Sequence, residues 1–193
     1  MCYSHDYMKT RNLVFIALFV ALMTAGAFLR IPLPFISVTF QLFFALLAGI
    51  ILGPVKGLIA MAVYMAIGLM GIPVFSLGGG PSYVLQPSFG FILGFLPAAY
   101  FSGLAYKNLQ FDERASAYIS YISGMLASYI IGIPYLYIIM RFYSGNTDTT
   151  LAAVTVSMLI YALKDAVLGI VLIIFAGRIP MLRKLAGTQV KSP

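Results

Sequence analysis

Two neighbouring residues of opposite charge, Lys164 and Asp165, stand in the middle of an otherwise apolar run over 150–176. Carrying a charge to the centre of a bilayer costs ~2.5–3.5 kcal/mol per side chain on insertion scales, so such residues normally face a cavity and mark a substrate path. Successive helical residues point about 100° apart, so the two heads are expected to diverge. The alternative is a local ion pair that serves packing alone. A second feature is the apolar segment 71–87, GIPVFSLGGGPSYVLQP, with three prolines and three consecutive glycines. Glycine permits close backbone approach, proline stiffens the remainder, and irregular backbone at membrane depth is tolerated where it lines protein or a cavity. One reading is a lid over a pocket, with Phe75 and Tyr83 as apolar walls and Gln86 as a polar contact; the other is a plain long turn. Third, Ala17, Ala21 and Ala25 repeat at four-residue spacing, a stripe that lets another helix approach closely, within the bundle or from a second protein.

Other chemistries lack their residues. No G-x-x-x-x-G-K-[ST] phosphate loop occurs, so ATP hydrolysis by that route is excluded. The single histidine, His5, lies near the N-terminus, away from any apolar run, and the single cysteine, Cys2, has no partner for a disulfide. Of five acidic residues only Asp165 is deep in an apolar run, so neither a carboxylate metal site nor a Ser-His site can be assembled inside the membrane. The chain reads as a non-enzyme, without cofactor or metal.

The elements that must position these residues follow from composition. Of 193 residues, 62% are hydrophobic and 9% charged, against ~25% charged in soluble domains, which excludes a water-soluble globule and a disordered chain. A spanning helix needs about 20 mostly apolar residues. Six candidate spans satisfy or approach this, over 12–29, 39–52, 55–71, 88–106, 115–140 and 150–176, the second short and ended by Gly53-Pro54. The runs are unbroken rather than alternating, which excludes a β-barrel. With the N-terminus inside, one face carries Lys9, Arg11, Lys56, Lys107, Arg114, Arg178, Arg183, Lys184 and Lys191, and the other only Arg30 and Arg141. That bias puts both termini in the cytoplasm and the 71–87 segment outside. The excess of basic residues thus marks a membrane interface, not a nucleic-acid surface. Lys9, Arg11 and the following apolar run could imitate a secretory signal, but the run is long for one and is read as a mature helix. The expectation is all-α: one membrane-embedded six-helix bundle over 1–193, anchored in the lipid bilayer by interfacial tyrosines.

Within this frame a family pattern emerges. Gly53-Pro54-Val55-Lys56-Gly57, then Tyr64, then Gly68-Leu69-Met70-Gly71-Ile72-Pro73-Val74-Phe75 and the glycine run resemble the biotin-transporter S subunit family, the substrate-capture subunits of energy-coupling factor (ECF) transporters. Val38-Thr39-Phe40-Gln41 is similar to that family's Pro-x-Thr-x-Gln start of the second helix, Gly90-Phe91-x-x-Gly94-Phe95 to its fourth helix, and Gly132-Ile133-Pro134-Tyr135-Leu136 to its fifth. Two stretches depart from it. Gln86-Pro87-Ser88-Phe89-Gly90-Phe91 replaces Gly-Pro-Thr-Gly-Gly-Tyr, and the lysine three residues beyond the aspartate is replaced by Leu168, with Lys164 one turn earlier. Positions 164 and 168 share a helix face about 6 Å apart, so the charge stays on its stripe, displaced outward.

The resemblance implies a bundle that binds biotin from outside in the cell membrane and works with a transmembrane coupling subunit and two cytoplasmic ATPases. Asp165 would accept from the ureido N–H groups and Lys164 would attract the carboxylate. Phe75 and Tyr83 would enclose the rings, and Thr39, Gln41, Gln86 and Tyr161 would add hydrogen bonds, with Gly79 and Ser88 completing the flap side. The Ala17, Ala21, Ala25 stripe would meet the coupling subunit. Three rivals remain open at this point: the same bundle carrying another vitamin-like acid such as lipoate, a stand-alone proton-coupled carrier using Asp165, and a membrane enzyme, for which no nucleophile–base pair is found.

Overall fold

A computed structural model describes residues 3–31, 37–145, 148 and 150–188, with side chains from Thr10 onward. Cys2 and Lys191, and the side chains of His5 and Lys9, lie outside the described residues. The described residues form α1 (Tyr3–Phe28), α2 (Gln41–Leu52), α3 (Pro54–Leu69), α4 (Phe89–Asn108), α5 (Glu113–Ile138), α6 (Leu151–Ser157), α7 (Leu159–Phe175) and α8 (Ile179–Leu185). Among them there is no strand, only isolated bridges between Ile31 and Val38 and between Phe75 and Gly78.

Among the described residues, four helical stretches are long and apolar enough to cross a membrane: Thr10–Phe28, Phe89–Asn108, Glu113–Tyr143 and Leu151–Leu185. The second and third expected spans are shorter, 12 residues in α2 and 16 in α3. Their burial explains why this is tolerable for α2. Nine of its 12 residues are buried, because α1, α3, α4, α5, α7 and α8 all pack against it. A helix walled by protein need not match the ~30 Å hydrocarbon thickness. The corner between α2 and α3 is made by Gly53, whose φ of 83° favours glycine, followed by Pro54 at the first position of α3.

Two expected spans differ in detail. The fifth continues beyond Ile138 through a π-helical turn, Ile139–Tyr143. The last is not one helix: Met158 interrupts it between α6 and α7, and the chain goes on through a 3₁₀ turn, Ala176–Arg178, into α8. Thr150 caps α6 by accepting from the Ala153 N–H, and Asp112 caps α5 by accepting from Arg114 N and Ala115 N. Such caps satisfy helix-end donors that have no intrahelical partner.

Close packing is built on small residues. α4 buries Gly90, Gly94, Ala98 and Ser102, while α5 buries Ser116, Ser120, Gly124, Ser128 and Gly132, each set spaced by four. A Cβ at Gly49 would fall 2.0 Å from the Ala99 carbonyl oxygen, which fixes how near α2 lies to α4. Helices in lipid gain little from hydrophobicity against each other, so such close van der Waals contact carries their association. At the opposite end of the bundle from the 71–87 segment, the chain end returns onto α2. Arg183, 3% exposed, donates to the Ile50 carbonyl at 2.5 Å and lies over the Tyr106 ring at 4.9 Å. Thr188 Oγ1 donates to the Leu52 carbonyl at 3.0 Å. Both carbonyls belong to the last turn of α2, which has no helical donors left to meet them.

Large apolar side chains cover the outside, among them Leu13, Val14 and Leu18 on α1, Ile130 on α5 and Leu163, Val167 and Ile174 on α7. On α1 the buried face is Phe19, Met23 and Ala27, whereas Ala17, Ala21 and Ala25 are all exposed. The small-residue stripe therefore does not pack within the bundle.

Candidate functional site

The centre of the site is the polar pair on α7. Asp165 is 3% exposed, and its Oδ2 accepts from Tyr129 Oη of α5 at 2.8 Å. Its Oδ1 is in an ion pair with Lys164. The expected divergence of the two heads is thus corrected: the flexible four-carbon stem of lysine lets the ammonium turn back onto its neighbour's carboxylate. The same Nζ donates to the Thr39 carbonyl at 2.8 Å, tying α7 to the chain just before α2.

This pair opens onto a cavity of about 60 Å³. One water needs ~10–15 Å³, so the pair does not sit in a dry helix seam. Beside Lys164 and Asp165, the cavity is lined by Thr39, Gln41, Tyr83, Ser88 and Tyr161. These are seven of the ten residues singled out as substrate-binding in the sequence, brought together from α2, α7 and the loops before α2 and α4. Apolar walls come from Leu42, Phe91, Ile92, Phe95 and Met158.

The other three sit elsewhere. Phe75 is fully buried behind Tyr83, their ring centroids 4.6 Å apart, so it backs the wall instead of forming it. The space it fills is the notch left by Gly68, where a Cβ would lie 2.0 Å from the ring. Gly79 packs on backbone: a Cβ there would fall 2.3 Å from the Ile72 carbonyl oxygen. Gln86 is exposed and outside the lining, held where its N–H donates to the Tyr83 carbonyl. Its neighbour two residues on, Ser88, is the one that faces the cavity.

The 71–87 segment is an ordered roof rather than a plain turn. Gly80 N–H donates to the Gly68 carbonyl at 2.7 Å, Tyr64 Oη donates to the Val74 carbonyl at 2.8 Å, and Pro81–Leu85 forms a 3₁₀ turn. Tyr83 Oη shares hydrogen bonds with Ser76 Oγ at 3.2 Å and Ser88 Oγ at 3.4 Å, which makes a hydroxyl cluster at the roof. Sequence reasoning missed Tyr129, Ser76 and Ser37, all of which line the cavity. No spacing links 129 to 165; only the packing of α5 on α7 joins them. Ser76, by contrast, lies inside the segment already marked by its prolines and glycines.

A buried carboxylate with a tyrosine and an ammonium on it, apolar walls and a hydroxyl roof match the general make-up of small-ligand pockets, which are mostly apolar with a few placed polar groups. The BioY family model matches residues 3–184 of this chain. The probable biotin transporter BioY of Lysinibacillus sphaericus is 41% identical over 133 residues, 69% of this chain and 68% of its own length. The biotin transporter BioY of Thermotoga maritima is 33% identical over 135 residues, covering 69% of this chain and 76% of its own. In fold, the chain is similar to the crystal structure of the S-component for biotin from an ECF-type ABC transporter, with a TM-score of 0.75 at 23% identity over 96% of this chain and 95% of that one. With a family model spanning nearly all of it, and relatives above 30% identity over two thirds of its length, the chain belongs to the BioY family.

Proposed function

We propose that this chain is the substrate-capture S subunit of an ECF-type transporter and binds biotin at the outer side of the cell membrane for ATP-driven uptake by partner subunits. Family membership supports the substrate, and one observation supports the site: a buried, ion-paired carboxylate opening onto a cavity under an ordered roof. The chain crosses the bilayer six times, α6 to α8 forming the last passage, with both termini cytoplasmic and the 71–87 roof outside. The basic residues near Lys107, Arg114, Arg178, Arg183 and Lys184 then lie at the cytoplasmic surface, as the charge bias of the sequence requires. No phosphate loop is present in the sequence, so the energy comes from two ATPase subunits through a transmembrane coupling subunit. The exposed Ala17, Ala21, Ala25 face of α1 is where that coupling subunit docks.

Contact between Lys164 Nζ and Asp165 Oδ1 refines the roles expected from sequence. The two polar ends of biotin are separated by its rings and its aliphatic tail, so a touching donor and acceptor cannot serve both ends at once. They match the ureido end alone, where an N–H and the C=O are adjacent. Asp165 accepts from the N–H and Lys164 donates to the carbonyl oxygen, while the carboxylate end points to the roof hydroxyls of Ser76, Tyr83 and Ser88. Thr39, Gln41 and Tyr161 complete the polar contacts. The test is calorimetry of biotin and biotin amide, which lacks the tail charge, on the purified chain. Lys164→Met weakens both by a similar factor, leaving their ratio within about threefold of wild type. Selective loss of the charged ligand would return Lys164 to the carboxylate, and no biotin binding by the wild type would reject the function itself.

A further inference from the structure

Gln41 lines the cavity with its side chain already committed behind it. Its Nε2 donates to Tyr64 Oη at 2.6 Å, and Tyr64 Oη donates to the Val74 carbonyl of the roof at 2.8 Å. The order of protons in this chain of bonds is forced. A carbonyl oxygen only accepts, and a phenol has one proton. That proton goes to Val74, so the phenol oxygen must accept from Gln41, and only the amide nitrogen of Gln41 can donate. The amide orientation, which atom positions alone leave open, is therefore set by chemistry: nitrogen toward Tyr64, oxygen Oε1 left unengaged among the described residues.

Tyr64 is held too firmly to relax this order. It is fully buried and stacked edge-on against Phe75, centroids 5.4 Å apart, and Phe75 in turn backs the cavity-lining Tyr83. We infer that Tyr64 is a positioning residue which fixes the polarity of Gln41, so that the cavity wall presents an amide oxygen selecting ligands with an N–H donor there. This rests on the biotin reading and deepens it: a cyclic urea has two N–H groups, one for Asp165 and one for the Gln41 oxygen. A ligand without that donor leaves a buried acceptor unpaired, and an acid such as lipoate has no N–H to offer. Freed from Tyr64, the amide turns to whichever orientation suits the ligand, and selection by hydrogen-bond polarity is lost.

The experiment compares dissociation constants of biotin and of its two isomers methylated on one or the other ureido nitrogen, using the detergent-purified full chain. The discriminating isomer is the one that keeps the N–H for Asp165 and loses the one for Gln41. Wild type prefers biotin by at least about tenfold, the order expected for an unsatisfied buried group. Tyr64→Phe brings the preference to within about threefold, Gln41→Leu does the same, and the double variant Gln41→Leu/Tyr64→Phe adds nothing further. That non-additivity is what separates a role through Gln41 from a general loosening of the roof. Should Tyr64→Phe fail to fold, Gln41→Glu decides: it keeps an oxygen toward the ligand and retains the preference that Gln41→Leu loses. An unchanged preference in Gln41→Leu, or additive losses in the double variant, overturns the inference while leaving biotin binding intact. Absence of biotin binding in the wild type would instead reject the reading on which it rests.

Discussion

Asp165 and Lys164 are the residues on which the proposed recognition depends, and their geometry sets the size of each expected effect. Hydrogen bonds to a charged group contribute about 1.5–3 kcal/mol, so Asp165→Asn is expected to weaken biotin binding by about 10- to 150-fold. Size-exclusion chromatography of the variant should remain monodisperse; unchanged affinity by calorimetry would remove Asp165 from the site. The second partner of the carboxylate makes a related case. Tyr129→Phe deletes the 2.8 Å donor to Asp165 Oδ2 without changing the ring that packs on Phe91 at 5.5 Å. A loss of about 2- to 10-fold in affinity is the expected outcome, smaller than at Asp165 because Tyr129 acts on the ligand through the carboxylate it holds. At this scale the sequence pointed to Lys164 and Asp165, which line the cavity, because charges inside an apolar run stand out. It was a poor guide to Tyr129, since a tyrosine among thirteen carries no signal until α5 and α7 are packed.

The elements determine whether these side chains meet at all. The roof depends on Gly68 in the last turn of α3, which accepts from Gly80 N–H and leaves the notch occupied by Phe75. Gly68→Ala places a methyl 2.0 Å from that ring, and Phe75 cannot move without displacing Tyr83. The expected result is biotin dissociation accelerated by tenfold or more in a stopped-flow chase, with smaller change in association; an unaltered off-rate would detach the roof from ligand retention. The proline- and glycine-rich composition made the roof legible in the sequence, but its inner layering was not: whether Phe75 or Tyr83 faces the cavity is decided by the notch at Gly68, three residues before the segment begins. The break at Met158 was equally hidden, as the apolar run continues through it without Gly or Pro. The α1 stripe was visible as spacing, and only its exposure separates the two readings left open for it. Ala17→Leu or Ala21→Leu should leave biotin affinity within about twofold while abolishing co-purification with the coupling subunit. Normal assembly of both variants would make that face an ordinary lipid-facing surface.

For the molecule as a whole, the end of the bundle away from the roof is closed by Arg183 and Thr188 on the last turn of α2, whereas the cavity lies under the roof at the other end. Under the proposed function, a bundle built this way captures its ligand alone and depends on partners to deliver it. Vesicles containing this chain alone are expected to bind biotin without accumulating it, and vesicles with the coupling and ATPase subunits to accumulate it only with ATP. Uncoupler-sensitive uptake by the isolated chain would instead support a proton-coupled carrier. The central claim is that a buried acid and base recognise a cyclic urea, and it is tested most directly by competition for labelled biotin on the purified chain. Dethiobiotin, which keeps the urea, should displace the label at concentrations near those of biotin itself, and lipoate, which has the acid tail without the urea, should not. Displacement by lipoate with dethiobiotin inert would contradict the account.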